Sequence, residues 1–339
     1  VKDYAFLKTD SGQMVCGFGP FTSRDRSPGE GVAFYVNDFE LSDPEPWKIP
    51  AEWSMAPDLG RVRAAVNGAG SQRPRIEWEI PGEAGFHAVY DDIMREIAAG
   101  RLAKSVPVLT ERGVLAGGEI DALLPALDDL PAALFGYGCR FGDAGMLGAT
   151  PELLMAVHGR HLETMALAGT TPAEQAAAFE ADAKEIAEHE FVADDLVAKL
   201  GALGEVRRER RQLLGLGPIA HFLSPIHVDL REEPDLDALI RLLHPTPALG
   251  ALPRVREVLD RLRRYRGELG APARFGAPFG VRVQGAFHAV VAIRHVSWRG
   301  REVSLPVGCG VIAASEFRKE WQELVLKRSA VKRLLGLES

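Results

Sequence analysis

Cysteine is scarce in this 339-residue chain. Cys16, Cys139 and Cys309 are odd in number, far apart and without a CxxC pair, which argues against a disulfide framework or a thiolate zinc site. They read as free thiols in a reducing compartment. Positive charge is also short: 40 Lys and Arg stand against 47 Asp and Glu, for a net charge of -7. That balance excludes a general nucleic-acid or anionic-membrane binder, which would concentrate cations, so an anionic ligand needs its own local cluster of them. No apolar run approaches a membrane span, and VKDYAFLKTD has no signal-like core, which makes the cytoplasm the expected location. There is no HExxH, no fixed-period repeat and no low-complexity linker. Hydrophobic residues at 46% and charged residues at 26% are ordinary for a globular protein.

What is present reads as a single α+β domain over 1–339, with a strand-rich portion at 1–80 followed by segments at 81–339 that carry the candidate chemistry. YAFLK, QMVCGFG and GVAFYV predict strands around tight turns, and RIEWEI alternates apolar and charged residues as a strand with one wet face. Residues 42–60, with Pro44, Pro46, Pro50 and Pro57, predict an irregular loop. Phe86, Val89, Tyr90, Ile93 and Ile97 recur at helical spacing before Gly100. AKSVPVLTE, PAALFGYGC, LGATPELLMAVHG, HLETMALAGT, PIAHFLSPIHVDL and FHAVVAIRHV predict strands. Further helices are expected at about 120–130, 172–203, 236–243 and 254–266, and after Gly310.

Within that frame, Glu185 and Glu188 lie at i, i+3 on a predicted helix, as do Glu320 and Glu323, with Lys327 on the same face. Such residues usually make a solvated, salt-bridged surface. If the two pairs meet, their four carboxylates suit a hard cation such as Mg²⁺. Gly308, Cys309 and Gly310 form a glycine-spaced turn ahead of the last helix, where main-chain N–H groups could face an anion. Lys104, in an apolar strand, either reaches the surface or is a base whose ammonium is disfavoured by burial. Glu152, also in an apolar strand, is either paired at a strand end or a carboxyl held protonated for proton donation.

Taken in order, KSVPVLTER, GATPELLM, LAGTTP, KEIAEH, HFLS, HPTPALGALPR, AIR, GCGVIAAS and EWQELVLK resemble the chorismate-utilising enzymes: the isochorismate, salicylate, anthranilate and aminodeoxychorismate synthases. The resemblance implies two large, mostly antiparallel sheets packed as a sandwich with helices outside and a site between them. It implies Mg²⁺ held by Glu188 and Glu323, with Glu185 and Glu320 on its water shell. Arg294, Lys327 and the amides of Gly308, Cys309 and Gly310 would take the carboxylates of chorismate, and Gly169, Thr170 and His221 would line the pocket.

Lys104 as base and Glu152 as acid match the branch that adds water, and Ala248 and Leu249 match the isochorismate synthase form of their loop. Isochorismate for menaquinone or siderophore biosynthesis is the implied product, with no glutaminase subunit and a monomeric chain. Salicylate synthase, another chorismate-using synthase such as an ammonia-using one, and a chorismate-binding protein without turnover are the alternatives. Two positions depart from the pattern: Phe275 stands where a tyrosine is common, and Thr171 where an arginine is usual.

Overall fold

In a computed structural model that describes residues 2–66 and 72–338, the chain forms an antiparallel sheet network with helices against it. Seventeen strands belong to one hydrogen-bonded network, and three short strands make a second sheet. The α+β class, with mostly antiparallel sheet and outer helices, is as expected from the sequence. The N-terminal strands are woven into the rest: Tyr4–Lys8 pairs with Phe135–Phe141, and Ala33–Val36 pairs with Pro278–Val283. The main apolar core correspondingly runs from Tyr4 to Leu335. No helix of the described residues is long and apolar enough to cross a membrane.

Five expectations need correction. Residues 47–56 are not loop but a strand, Trp47–Ala56, paired with Met14–Arg24. Pro50 is tolerated there because the register shifts between Phe18 and Phe21, so the missing N–H falls at an irregularity of the ladder. The segment LGATPELLMAVHG is two strands, Ala144–Thr150 and Leu153–His158, because Pro151 interrupts pairing and leaves Glu152 in the bend. FHAVVAIRHV is likewise divided into Ala286–Val291 and His295–Arg299. Arg294 sits in the break with φ 54°, a left-handed conformation uncommon for a side chain of this size.

The long predicted helix at 172–203 begins late. The strand His161–Pro172 continues into it, a short turn of helix covers Ala176–Phe179, and the main helix is Ala183–Gly201. Asp182 starts that helix by accepting from the backbone N–H groups of Lys184 at 2.9 Å and Glu185 at 3.1 Å. Glu188 then shares the buried face with Val192, Leu196 and Leu200, at i, i+4, i+8 and i+12. The segment expected as a helix over about 120–130 is a 3₁₀ turn, Ile120–Leu127, with Pro125 inside it.

The final helix, Phe317–Leu335, buries Glu320 in line with Leu324, Arg328, Val331 and Leu335. Both acidic pairs are therefore carried inward by the apolar stripe that docks each helix. Replacing Asp182 with Ala removes the cap that sets the start of the first of these helices, and should lower the unfolding free energy by about 1 kcal/mol in urea titrations.

Candidate active site

The two acidic helices and the small three-stranded sheet converge on one cleft. Lys104 lies in the middle strand of that sheet, Lys104–Ser105, opposite Leu252 on one side and Ile312 on the other. Its side chain is fully buried, and its Nζ donates to Glu188 Oε1 at 3.1 Å. Burial alone argued for a neutral amine; the structure instead gives Lys104 a carboxylate partner. Gly310 makes this pair possible. A Cβ there would overlap Glu188 Oε1 and lie 3.1 Å from Lys104 Cε.

The four glutamates do come together, around an ammonium that the sequence reading overlooked. Lys184 Nζ lies 2.9 Å from Glu185, 3.1 Å from Glu188 and 3.2 Å from Glu320. Glu323 pairs with Lys327 at 2.6 Å, and Lys327 also donates to the Gly308 carbonyl at 2.8 Å. Burial pushes the Glu188 carboxyl up, but Lys104, Lys184 and Lys327 outweigh it and hold it at about 2. Glu185 and Glu320 are pushed up by burial, to about 7 and about 8, with neighbouring carboxylates adding to the effect. Glu320 Oε2 is buried without a hydrogen-bond partner. An acidic cluster with an orphaned oxygen fits a hard cation.

Opposite charges also line the cavity next to it. Its walls include Glu152, Gly169, Thr170, Glu188, His221, Ala248, Leu249, Phe275, Arg294, Gly308, Gly310, Glu323 and Lys327. Cys309, expected there, is buried and does not line the cavity; the turn exposes its two glycines instead. Lys104, Glu185 and Glu320 stand behind that wall, linked to it through Glu188 and Lys184.

Gly169, at φ 76°, lets the end of its strand turn so that Thr170 N–H reaches Glu185 Oε2 at 3.0 Å. The Nδ1 of His221 lies 2.8 Å from the Gly169 carbonyl and donates to it, which leaves Nε2 to accept from Arg294 Nη2. Burial, and then the charges of Arg294 and Lys327, push His221 well below its ordinary value, so this neutral tautomer is the form that persists. Burial also lowers Arg294, to about 10, against the opposing pull of Glu152 and Glu323. Arg294 makes no ion pair among the described residues, which leaves its guanidinium available to an anion.

Glu152 is the outlier among the acids. Burial pushes its carboxyl up to about 7, against a hydrogen bond from Thr246 and the charges of Lys104, Lys327 and Arg294. The Thr246 hydroxyl donates to Glu152 Oε1 at 3.1 Å. Sequence reasoning missed Thr246, although it sits in HPTPALG beside Ala248 and Leu249, and missed Lys184, although it adjoins Glu185. Phe275 lines the cavity with its ring 5.8 Å from that of His295, and offers no hydroxyl.

An α+β fold carrying a buried carboxylate and lysine cluster beside an unpaired arginine defines a pocket for a small anion. Comparison with known proteins agrees: residues 66–336 match the family model described as "Chorismate binding enzyme", and the chain belongs to that family. It is 30% identical over 285 residues to the salicylate biosynthesis isochorismate synthase of Pseudomonas aeruginosa, covering 80% of this chain and 57% of that protein. It is also 30% identical over 216 residues to anthranilate synthase component 1 of the same organism, covering 59% of this chain and 43% of that one. The chain thus spans about half the length of these curated relatives. The solved menaquinone-specific isochorismate synthase of Escherichia coli shares the fold, with a TM-score of 0.78 at 20% identity over 99% of this chain and 89% of that one.

The raised Glu152 carboxyl has a thermodynamic consequence. Its folded value, about 7, lies above the ordinary 4.5, so the folded protein holds a proton that the unfolded chain releases. Stability from this group is full below the ordinary value and is lost as pH rises through 7. Glu152→Gln, which cannot ionise, should gain on the wild type by up to about 3 kcal/mol between pH 4 and pH 8. Denaturant titrations across that range would show the two curves separating as pH rises.

Proposed function

We propose that this chain is an isochorismate synthase, converting chorismate to isochorismate by adding water at C2 and expelling the C4 hydroxyl. The observation that carries this reading is a cleft with a carboxyl held up near 7 in its wall, Glu152, and a fully buried lysine, Lys104, behind it. The Glu152 carboxyl, held up near 7, is an acid of suitable strength around neutral pH, and the Lys104 amine is the group placed to act as its complementary base.

Lys104, released from Glu188 and in its neutral amine form, takes a proton from a water directed at C2. The C2–O bond forms, the ring double bonds shift, the C4–O bond breaks, and the Glu152 proton joins the departing hydroxyl as water. Atoms balance, so substrate and product are isomers. Arg294 and Lys327 suit the ligand's carboxylates, and the neutral His221 holds Arg294 in place by accepting from it.

Mg²⁺ is the cation this donor set suits; Glu188 and Glu323 would hold it, with Glu185 and Glu320 beside them. Bound there, it would orient and neutralise a substrate carboxylate. Lys184, which now bridges three of those carboxylates, must then move aside. Lysine at position 104 favours water over ammonia as the nucleophile, in keeping with the family branch whose members add water.

The reading is tested by incubating the purified chain with chorismate and Mg²⁺, without ammonia or glutamine, and identifying products by proton NMR. Isochorismate should accumulate with the wild type and not with Lys104→Gln; salicylate with pyruvate, or near-normal turnover by the variant, would refute it. The pH profile gives a second check. A general acid works only while protonated, so kcat/KM should fall as pH rises through about 7. Thr246→Val removes a hydrogen bond that favours the charged carboxylate, and should move that fall to higher pH.

A further inference from the structure

At the far end of the strand that follows Glu152, roughly 20 Å away at the usual rise per residue, the sheet carries a second constellation. His158 ends the strand Leu153–His158, whose other neighbour, Ala286–Val291, places Ala156 opposite His288 and His158 opposite Ala286. His158 and His288 are therefore diagonal neighbours on one face, with ring centroids 5.1 Å apart and planes at 74°. The turn between the first two strands, closed by Gly12 N–H on the Thr9 carbonyl at 3.0 Å, lays Asp10 across both rings. Asp10 Oδ2 is 3.2 Å from His158 Nε2, and its Oδ1 is 3.7 Å from His288 Nδ1.

His288 is the telling member. Only 5% exposed, it holds Nδ1 buried without a hydrogen-bond partner, aimed at the Asp10 carboxylate but too far for a good bond. A buried nitrogen left this way is costly, and a ligand between the groups would satisfy it. Burial lowers His288, which keeps it in the neutral form that binds metals. One donor atom from each of Asp10, His158 and His288 lies within 4.8 Å of the other two.

We propose that Asp10, His158 and His288 form a site for a borderline divalent transition-metal ion, with Zn²⁺ as the type, separate from the cleft and tying the Asp10 turn to the sheet. Two imidazoles and a carboxylate are a Zn²⁺ ligand set that leaves a fourth position for water, whereas Mg²⁺ favours oxygen. Asp10 is on an exposed turn, so closing to metal–ligand distance asks little of the core.

The neighbouring cluster on the same sheet makes the contrast. His161 already contacts Asp229 and Glu163 at 3.2 Å each, and His227 contacts Glu209 at 3.0 Å. Its imidazoles are satisfied by acids, and no buried nitrogen there lacks a partner among the described residues.

Zn²⁺ titrated by calorimetry into the full chain, with Mg²⁺ held in excess to occupy the acidic cleft, tests this. One saturable Zn²⁺ and a rise in Tm are expected, with binding at least about tenfold weaker in His158→Gln and Asp10→Asn and unchanged in His227→Gln. Both informative substitutions are at exposed positions, so folding should survive them. Co²⁺ in place of Zn²⁺ should show the visible absorption of a four-coordinate ion, lost in the same two variants. Absence of saturable binding, or binding undiminished in both, or lost only in His227→Gln, would overturn the assignment.

Discussion

The buried pairing of Glu188 with Lys104 and Lys184 is the constraint around which this site is built. A lone carboxylate at this depth would cost several kcal/mol even after relaxation, so it is held there only with its cations. Two of the three, Glu188 and Lys184, share a helix, and the third comes from far along the chain. Lys104 is delivered by the small sheet, Glu188 by the helix Ala183–Gly201, and the room between them by Gly310. Close packing at that glycine leaves no space for a side chain. The local chemistry therefore depends on the meeting of three elements far apart in sequence.

That pairing sorts the other charges. Lys184 is shared among Glu185, Glu188 and Glu320, and burial, with the neighbouring carboxylates adding to it, keeps Glu185 and Glu320 far above ordinary carboxylate values. Lys327 is taken by Glu323 and the Gly308 carbonyl. Arg294 is left with a neutral histidine as its side-chain partner, which is why the cavity wall presents an uncompensated cation to an anionic ligand. Glu152, outside the acidic cluster, is also raised by burial, against the charges of Lys104, Lys327 and Arg294. One cleft thus contains acids that differ in protonation, which a cation site and a proton donor both require.

How much of this could be read from the sequence follows from the range of each signal. Helical spacing placed Glu185 with Glu188 and Glu320 with Glu323, because i, i+3 neighbours share a face whatever the tertiary structure does. Spacing gave no sign that those faces are buried. That follows from the apolar stripe each shares, through Val192, Leu196 and Leu200 in one helix and Leu324, Val331 and Leu335 in the other. Lys184 was invisible as a site residue because its role depends on Glu320, far along the chain. The strand Trp47–Ala56 was hidden by proline, whose penalty vanishes where the partner strand shifts register. The breaks at Glu152 and Arg294 had local causes or marks, Pro151 in one case and a positive φ in the other, yet both lie inside apolar runs that read as uninterrupted strands.

The first 65 residues lie outside the family match, but they are coupled to the site through a short chain of contacts. His244 Nε2 donates to the Phe39 carbonyl at 2.7 Å, with its ring edge-on to that of Phe39 at 5.0 Å. Phe39 is also covered by the Arg266 guanidinium, 3.7 Å from its ring centre, and Arg266 donates to the carbonyl of Phe275 in the cavity wall. His244 begins the loop that carries Thr246, whose hydroxyl hydrogen bond lowers the Glu152 carboxyl against the larger effect of burial. Phe39 therefore anchors both the loop that carries Thr246 and the residue beside it that shapes the cavity. The N-terminal segment thus reaches the cleft through Phe39, in the turn after the strand Ala33–Val36, which holds the Thr246 loop and the backbone of Phe275 in place.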